Sequence, residues 1–180
     1  MTNVQDKKIE IYVDGSYYEG RTGYGAIILA NGVLLQELKG HVAPDAAMGT
    51  RQVAGEMYAL GFALQWCKAQ GIEQAHVYYD YLGVEHWVTG KWKAKIALTQ
   101  RYAAFVRSSG VRIIWHKVKS HSGNHWNDKA DELAKAGAMM GAAAPQQSHD
   151  RAIKTSNNAL IEELEETSAA FNAYLIGEGL

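Results

Sequence analysis

The sequence predicts an α/β layer fold, in which an antiparallel hairpin sheet is extended by parallel strands and covered by helices. Three observations predict this class. Apolar and polar side chains alternate along residues 8–14, the dipeptide Asn31-Gly32 separates two strand-like segments, and the apolar spacing becomes helical near Thr50. Beyond that point strand-like and helix-like segments alternate, as they do in layered α/β domains.

Three strands come first in the predicted order. Ile9, Ile11 and Val13 alternate with polar neighbours, so the first strand should bury one face. The dipeptide Asn31-Gly32 favours a tight hairpin turn between the second and third strands. The three strands are predicted at 8–14, 23–30 and 33–42.

A helix is predicted from about Thr50 to Gln70. Its apolar side chains recur every three or four residues, which predicts an amphipathic helix with one buried stripe, and Gly71 should end it. The stripe consists of Val53, Met57, Leu60, Leu64 and Cys67.

Strands and helices then alternate through the rest of the predicted domain. A corner rich in Trp and Lys at 90–95 joins two of the helices, and the loop "KSHSGN" precedes the last helix. The predicted elements are a strand at 74–80, helices at about 81–88 and 96–108, a strand at 111–118 and a helix at 124–140. Together they predict a five-stranded mixed sheet with helices on both faces.

The composition changes after this domain, which is predicted to span residues 1–140. Residues 141–155 have the composition of a linker, and 156–180 are predicted to form a C-terminal tail helix. The apolar face of the tail helix is formed by Leu160, Leu164, Phe171 and Leu175. This helix could pack on its own domain, form a dimer or bind a protein partner, and the sequence leaves these alternatives open.

The composition, 47% hydrophobic and 21% charged residues, is that of a soluble globular protein. The single cysteine, Cys67, excludes an internal disulfide, and the N-terminal residues contain no apolar run, so we expect a cytoplasmic protein without a membrane span. Residues 1–144 carry 16 Lys/Arg and 13 Asp/Glu, a net charge of +3, whereas residues 145–180 carry 2 and 6, a net charge of −4. The overall charge of −1 therefore does not exclude a nucleic-acid partner.

Four carboxylates on four different predicted elements are the strongest indication of function. Each has an ordinary interpretation by itself: Asp14 would end the first strand, and Asp80 would cap a helix. Brought together without partners they would repel, and the oxygen-preferring cations Mg²⁺ or Mn²⁺ relieve such repulsion. Two such ions roughly 3.5–4 Å apart hydrolyse phosphodiesters in many nucleases. The four residues are Asp14, Glu56, Asp80 and Asp131.

A second metal hypothesis is a zinc site formed by His121, His125 and Asp128. The sequence has no glutamate base between the two histidines and no cysteine nearby, which argues against zinc. We expect His125 and Asp128 to be residues of the loop and of the helix start.

Five motifs in this order resemble the type 1 ribonuclease H family. They are "YVDGSY", "GYGAIIL", Glu56 within a helix, "YYDYLGVEHWVTGKWKA" and "HKVKSHSGNHWNDKADELAK", and the similarity covers roughly residues 8–140. The resemblance implies a ribonuclease H-like fold and makes residues 1–140 a catalytic domain. The fourth motif is similar to a bacterial subgroup that often follows a small hybrid-binding domain. We expect this chain to lack both that domain and the long basic handle of some members.

The resemblance also implies the chemistry. The chain would be an endonuclease that cuts the RNA strand of RNA·DNA hybrids, leaving 5′-phosphate and 3′-hydroxyl ends. Two Mg²⁺ ions, with Mn²⁺ as an alternative, would be bound by Asp14, Glu56, Asp80 and Asp131. His121, ten residues before Asp131, would be the mobile histidine that transfers a proton or assists product release.

Substrate contacts are implied at two places. The backbone of Gly15 and Ser16 and the amide of Gln52 would contact the RNA strand, although many family members have Asn at the position of Gln52. The corner at 90–95 combines an aromatic ring with basic side chains, which suits the backbone and sugars of the DNA strand. Its residues are Lys91, Trp92, Lys93 and Lys95.

Two alternatives remain at this stage. A nuclease of similar fold could act on another substrate, as a resolvase or an exonuclease, but the "KSHSGN" loop ahead of Asp131 argues against this. A non-catalytic hybrid-binding module is the other alternative, and the complete set of four acids argues against it.

Overall fold

The structure, a computed structural model, describes residues 6–141. The predicted linker, apart from Gly141, and the predicted tail helix lie outside the described residues. Within 6–141 no helix combines the length and apolar character needed to cross a membrane.

The predicted five-stranded mixed sheet is confirmed. The strand order is β3-β2-β1-β4-β5, with antiparallel pairing from β3 to β1 and parallel pairing from β1 to β5. A short helix, α1, was not predicted. The elements are β1 Ile9–Tyr18, β2 Arg21–Ala30, β3 Val33–Val42, α1 Pro44–Ala47, α2 Gln52–Ala69, β4 Gln74–Tyr79, α3 Gly83–Thr89, α4 Ala97–Ser108, β5 Arg112–Lys117 and α5 His125–Met140.

The hairpin between β2 and β3 is confirmed where the sequence predicted it. Asn31 and Gly32 have φ angles of 51° and 77°, and Ala30 pairs with Val33 across the turn. Positive φ at both central residues is the geometry of a type I′ turn, which matches the right-handed twist of the flanking strands.

The predicted end of β1 at Asp14 was wrong. The strand continues to Tyr18, because a second tight turn at Glu19 and Gly20 lets β2 pair with β1 along its full length. Asp14 therefore lies inside β1, opposite Gly25 of β2. Pairing with β2 continues before and after Asp14, so this residue does not end the strand.

The helices lie on both faces of the sheet, as predicted. On one face Ile11, Val13 and Ile28 pack with α2, whose Met57 and Leu60 are fully buried. On the other face Tyr12, Ile27 and Leu29 pack against α5 through Ala130. Both layers meet at β1 and β2, so residues at the centre of the sheet have a helix above and a helix below.

The expected single buried stripe of α2 was wrong. Every residue from Ala54 to Leu64 is buried, including Glu56, because α2 packs on the sheet and is also covered by α4. A helix that is buried on all sides shows no contrast between an apolar and a polar face. Glu56 is thus a carboxylate inside the protein core, which the periodicity did not reveal.

Candidate active site

Asp14 and Asp80 meet at one edge of the parallel part of the sheet. The register of β1 and β4 ends with the pair Tyr12 and Tyr78, and Asp14 follows two residues later on β1. Asp80 comes directly after the last residue of β4. Because the two strands are parallel, both carboxylates lie toward the carboxyl ends of the paired segments. Ligands bind at this side of the sheet in open α/β folds.

Gly15 allows the start of α2 to approach β1 at this edge. A Cβ atom on Gly15 would lie 1.9 Å from the carbonyl oxygen of Gln52 and 2.6 Å from the backbone nitrogen of Glu56. No residue with a side chain fits against this backbone. Gly15 therefore brings Glu56 next to Asp14, a packing role in addition to the substrate contact that the sequence predicted for it.

Gly25 allows the same close approach on the other face. A Cβ atom there would lie 2.3 Å from the carbonyl oxygen of Ala130 and 2.6 Å from the nitrogen of Ala134. Since Gly25 pairs with Asp14 across the sheet, α5 passes directly beside Asp14 and brings Asp131 with it. The two glycines explain how α2 and α5 bring Glu56 and Asp131 toward Asp14.

Asp14, Glu56, Asp80 and Asp131 are called the carboxylate cluster below. Asp14 interacts electrostatically with Asp80 and Asp131, and Glu56 interacts with Asp80 and Asp14. Burial raises the pKa of Asp14 to about 7, and the charges of Asp80 and Asp131 contribute in the same direction. Burial, followed by the charges of Asp80 and Asp14, raises the pKa of Glu56 well above its ordinary value. Glu56 is 3% exposed, and its Oε1 accepts hydrogen bonds from the backbone N–H of Asp80 at 3.0 Å and of Tyr81 at 3.4 Å.

The other three carboxylates accept hydrogen bonds from protein donors. Asp14 Oδ1 accepts from the Gly15 N–H at 2.7 Å, and Asp80 Oδ2 accepts from Ser120 Oγ at 2.7 Å. Asp131 Oδ2 is 2.6 Å from Lys135 Nζ. Within residues 6–141 no three or more histidine, cysteine, aspartate or glutamate side chains stand in the arrangement that a bound metal ion requires. Metal binding therefore stays a prediction, and it needs these side chains to turn toward a common ion.

The oxygen atoms of the carboxylate cluster are the type of ligand that a hard divalent cation prefers. The cluster offers carboxylate oxygens only, and Asn127, one helical turn before Asp131, has a buried Oδ1 with no hydrogen-bond partner. Oxygen ligands of this kind suit Mg²⁺ or Mn²⁺ and not zinc. The sequence analysis did not single out Asn127, whose i,i+4 relation to Asp131 was the available signal.

The predicted mobile histidine lies in an exposed loop between β5 and α5. His121 has a φ of 52°, which is unusual for a residue other than glycine. The loop starts beside Asp80, where the Val118 N–H donates to the Tyr79 carbonyl at 2.8 Å. It ends at Asn124, whose side chain caps α5 by accepting from two backbone N–H groups. The loop therefore joins the end of β4 to the helix that carries Asp131.

The corner at residues 90–95 is connected to the cluster through Tyr81. The ring of Trp92, 38% exposed, packs against Tyr81, His86 and Trp87, with 6.1 Å between the Trp92 and Tyr81 centroids. Tyr81 follows Asp80 directly and donates its N–H to Glu56. The structure thus places the predicted DNA-strand contact beside the carboxylates, through an aromatic residue that the sequence analysis missed.

The predicted substrate residues differ in how free their side chains are. Lys91 pairs with Glu85 at 2.6 Å, a contact that the sequence analysis did not foresee, whereas Lys93 and Lys95 are exposed. Gln52 is exposed at the first position of α2, and its carbonyl lies against Gly15. These contacts with a substrate stay predictions.

A five-stranded mixed sheet with helices packed on both faces defines a layered α/β domain. The family model described as RNase H matches residues 6–139. A protein named Ribonuclease H from Verminephrobacter eiseniae is 32% identical over 146 residues, covering 72% of this chain and 90% of that protein. Another, from Albidiferax ferrireducens, is 33% identical over 148 residues, covering 73% and 95%. The chain therefore belongs to the ribonuclease H family.

Solved structures agree on the fold. The RNase H1 of the halophilic archaeon Halobacterium salinarum has a TM-score of 0.62 at 20% identity, with 76% of this chain and 99% of that chain covered. LC11-RNase H1, solved in complex with an RNA/DNA hybrid, has a TM-score of 0.64 at 20% identity, with 76% and 100% covered.

Proposed function

We propose that this protein is an endonuclease that hydrolyses the RNA strand of RNA·DNA hybrids with two divalent cations, Mg²⁺ or Mn²⁺. The observation that carries the proposal is the convergence of Asp14, Glu56, Asp80 and Asp131 from four elements, where burial and mutual repulsion raise the pKa of two of them. Such an arrangement costs stability unless a cation offsets the repulsion. Membership of the ribonuclease H family supports the reaction class.

The four carboxylates would hold the cations, and Asp14 lies within β1, where α2 and α5 approach the sheet from opposite faces. When bound, such ions supply an activated water and neutralise the departing oxygen of the phosphodiester. Glu56 also fixes the backbone of Asp80 and Tyr81 through two hydrogen bonds, so it orients the strand end as well. His121, exposed on its loop beside Asp80, would transfer a proton or assist product release.

Selection of a hybrid follows from two surfaces on either side of the cluster. At the start of α2 the exposed Gln52, with the backbone of Gly15 and Ser16, can read the 2′-hydroxyls that distinguish RNA from DNA. At the corner, Trp92 offers a ring, and the exposed Lys93 and Lys95 offer positive charge, to the DNA strand. The complex of LC11-RNase H1 with an RNA/DNA hybrid supports this substrate. We also infer 5′-phosphate and 3′-hydroxyl products and a cytoplasmic location.

The test compares end-labelled RNA·DNA, RNA·RNA and DNA·DNA duplexes of one sequence, incubated with Mg²⁺, Mn²⁺ or a chelator. We expect internal cuts in the RNA strand of the hybrid alone, and none with the chelator. Asp14→Asn should abolish the cuts, and Glu132→Gln, an exposed neighbour of Asp131, should not. Cutting of the DNA duplex but not the hybrid would contradict the substrate, and hybrid binding without any cleavage would indicate a binding module.

A further inference from the structure

The loop that carries His121 is tied to the candidate site at a third point besides its two ends. Ser120 Oγ donates a hydrogen bond of 2.7 Å to Oδ2 of Asp80, forty positions earlier in the chain. Ser120 precedes His121 directly, so the bond lies next to the strained residue of the loop. Neither the motif spacing nor the periodicity indicated this contact.

The backbone and the side chain of Asp80 are thus held by two different partners. Its N–H donates to Glu56 Oε1 at 3.0 Å, which fixes where the strand end lies. Its carboxylate is oriented by Ser120, which engages Oδ2 and leaves Oδ1 for another ligand. Hydrogen bonds of this kind to a ligating carboxylate orient it and strengthen metal binding.

The loop itself needs such a restraint. His121 has a φ of 52° and Gly123 a φ of 78°, so the backbone enters the left-handed region twice between Ser120 and the α5 cap at Asn124. A positive φ at a residue with a Cβ persists only when neighbouring contacts hold it. The Val118 and Asn124 bonds hold the ends, and the Ser120 hydroxyl is the contact adjacent to His121.

We propose that Ser120 is a positioning residue, which orients the Asp80 carboxylate for a divalent cation and holds the His121 loop beside it. This inference rests on the proposed function, because it assumes that Asp80 is a metal ligand. It adds a residue outside the four carboxylates and His121. It also couples the loop to the site, since both depend on one hydroxyl.

The experiment measures Mn²⁺ binding by calorimetry and amide hydrogen exchange of residues 118–123 in the full-length chain. Four proteins are compared: wild type, Ser120→Ala, Ser120→Thr and Ser122→Ala. Ser122 is an exposed serine in the same loop and is the matched control. We expect Ser120→Ala to weaken Mn²⁺ binding about tenfold, the lower end of such effects, and to speed exchange around His121. Ser120→Thr keeps the hydroxyl and should retain both properties, and Ser122→Ala should match wild type.

Wild-type affinity in Ser120→Ala would overturn the role of Ser120 and leave the proposed function intact. Equal losses in Ser120→Ala and Ser120→Thr, with both proteins folded by circular dichroism, would also overturn it, because the hydroxyl would not be responsible. A wild-type protein that binds no Mn²⁺ would instead contradict the metal chemistry of the proposed function, and this inference with it.

Discussion

Glu56 and Glu85 lie in neighbouring regions of the protein and have opposite surroundings. Glu56, in α2, is buried near Asp80 and Asp14 and pairs with no cationic side chain within residues 6–141. Burial and these two charges raise its pKa. Glu85, in α3, accepts hydrogen bonds from Tyr79 and Lys91. Burial acts to raise the pKa of Glu85 too, but Lys91 and Tyr79 outweigh it and the pKa is lowered.

The opposite pKa shifts distinguish Glu85, which supports the fold, from Glu56, which is available to a ligand. Tyr79 donates a hydrogen bond to Glu85, and Lys91 supplies a positive charge beside it. Glu85 therefore stabilises the corner around Trp92. The protein leaves the repulsion at Glu56 and Asp14 largely uncompensated, and such uncompensated sites are where perturbed pKa values indicate function. Glu85 therefore has a structural role, whereas Glu56 and Asp14 are available to a ligand.

Removing the Asp14 carboxylate should cause the greatest loss of cleavage. Asp14→Asn should lower kcat on an RNA·DNA hybrid by about 1,000-fold or more, since a bound metal contributes several kcal/mol of transition-state stabilisation. Single-turnover cleavage measures it, with Glu132→Gln as the control for a changed charge near the cluster. Retention of a tenth of the activity would remove Asp14 from the catalytic site.

Substitutions at Glu56 and Glu85 should change the free energy of unfolding in opposite directions when a chelator removes metal ions. Glu56→Gln should stabilise the metal-free protein at pH 8, because folding must otherwise either enclose the carboxylate charge or take up a proton to neutralise it. Glu85→Gln should destabilise it by about 1–2 kcal/mol, because the buried Tyr79 hydroxyl loses an ionised acceptor. Urea unfolding at pH 8 measures both, and changes of the same sign would refute the contrast.

Asp14 should make the free energy of unfolding depend on pH. Its folded pKa of about 7 lies above the unfolded value near 4, so ionising it disfavours the folded state. Protonated Asp14 therefore stabilises the folded, metal-free protein fully below about pH 4. This stabilisation decreases as the pH rises and is lost above about pH 7. Thermal unfolding with a chelator at pH 5 and pH 8 should show a smaller change for Asp14→Asn than for wild type.

The smallest expected effect concerns the lysines of the corner. Lys93→Ala and Lys95→Ala should each lower the salt dependence of hybrid binding, by a slope of roughly 0.7–0.9 for every phosphate contact removed. Lys91→Ala should change the slope less, since Glu85 already neutralises Lys91. Binding titrations across a range of salt concentrations measure the slopes, with Lys68→Ala on α2 as the control. An equal effect of all three corner lysines would show that Glu85 releases Lys91 to the substrate.

Much of the fold could be predicted because it depends on local chemistry. Asn31-Gly32 favours positive φ angles wherever it occurs, and the alternation of Ile9, Ile11 and Val13 repeats the geometry of a strand. The identity and order of the four acids were likewise readable along the chain. Each of these features involves residues close in sequence, or motifs that keep their spacing.

Tertiary packing alone decided the rest. The periodicity of α2 predicted one buried face, but a sheet below and α4 alongside bury Glu56 as well. The helix backbones that pack against Gly15 and Gly25 come from distant segments, so no local pattern indicated the packing role of these glycines. The pairs Ser120 with Asp80 and Lys91 with Glu85 depend on where separate elements meet. Sequence patterns report the geometry of one element at a time, whereas burial, repulsion and orientation arise only when elements pack together.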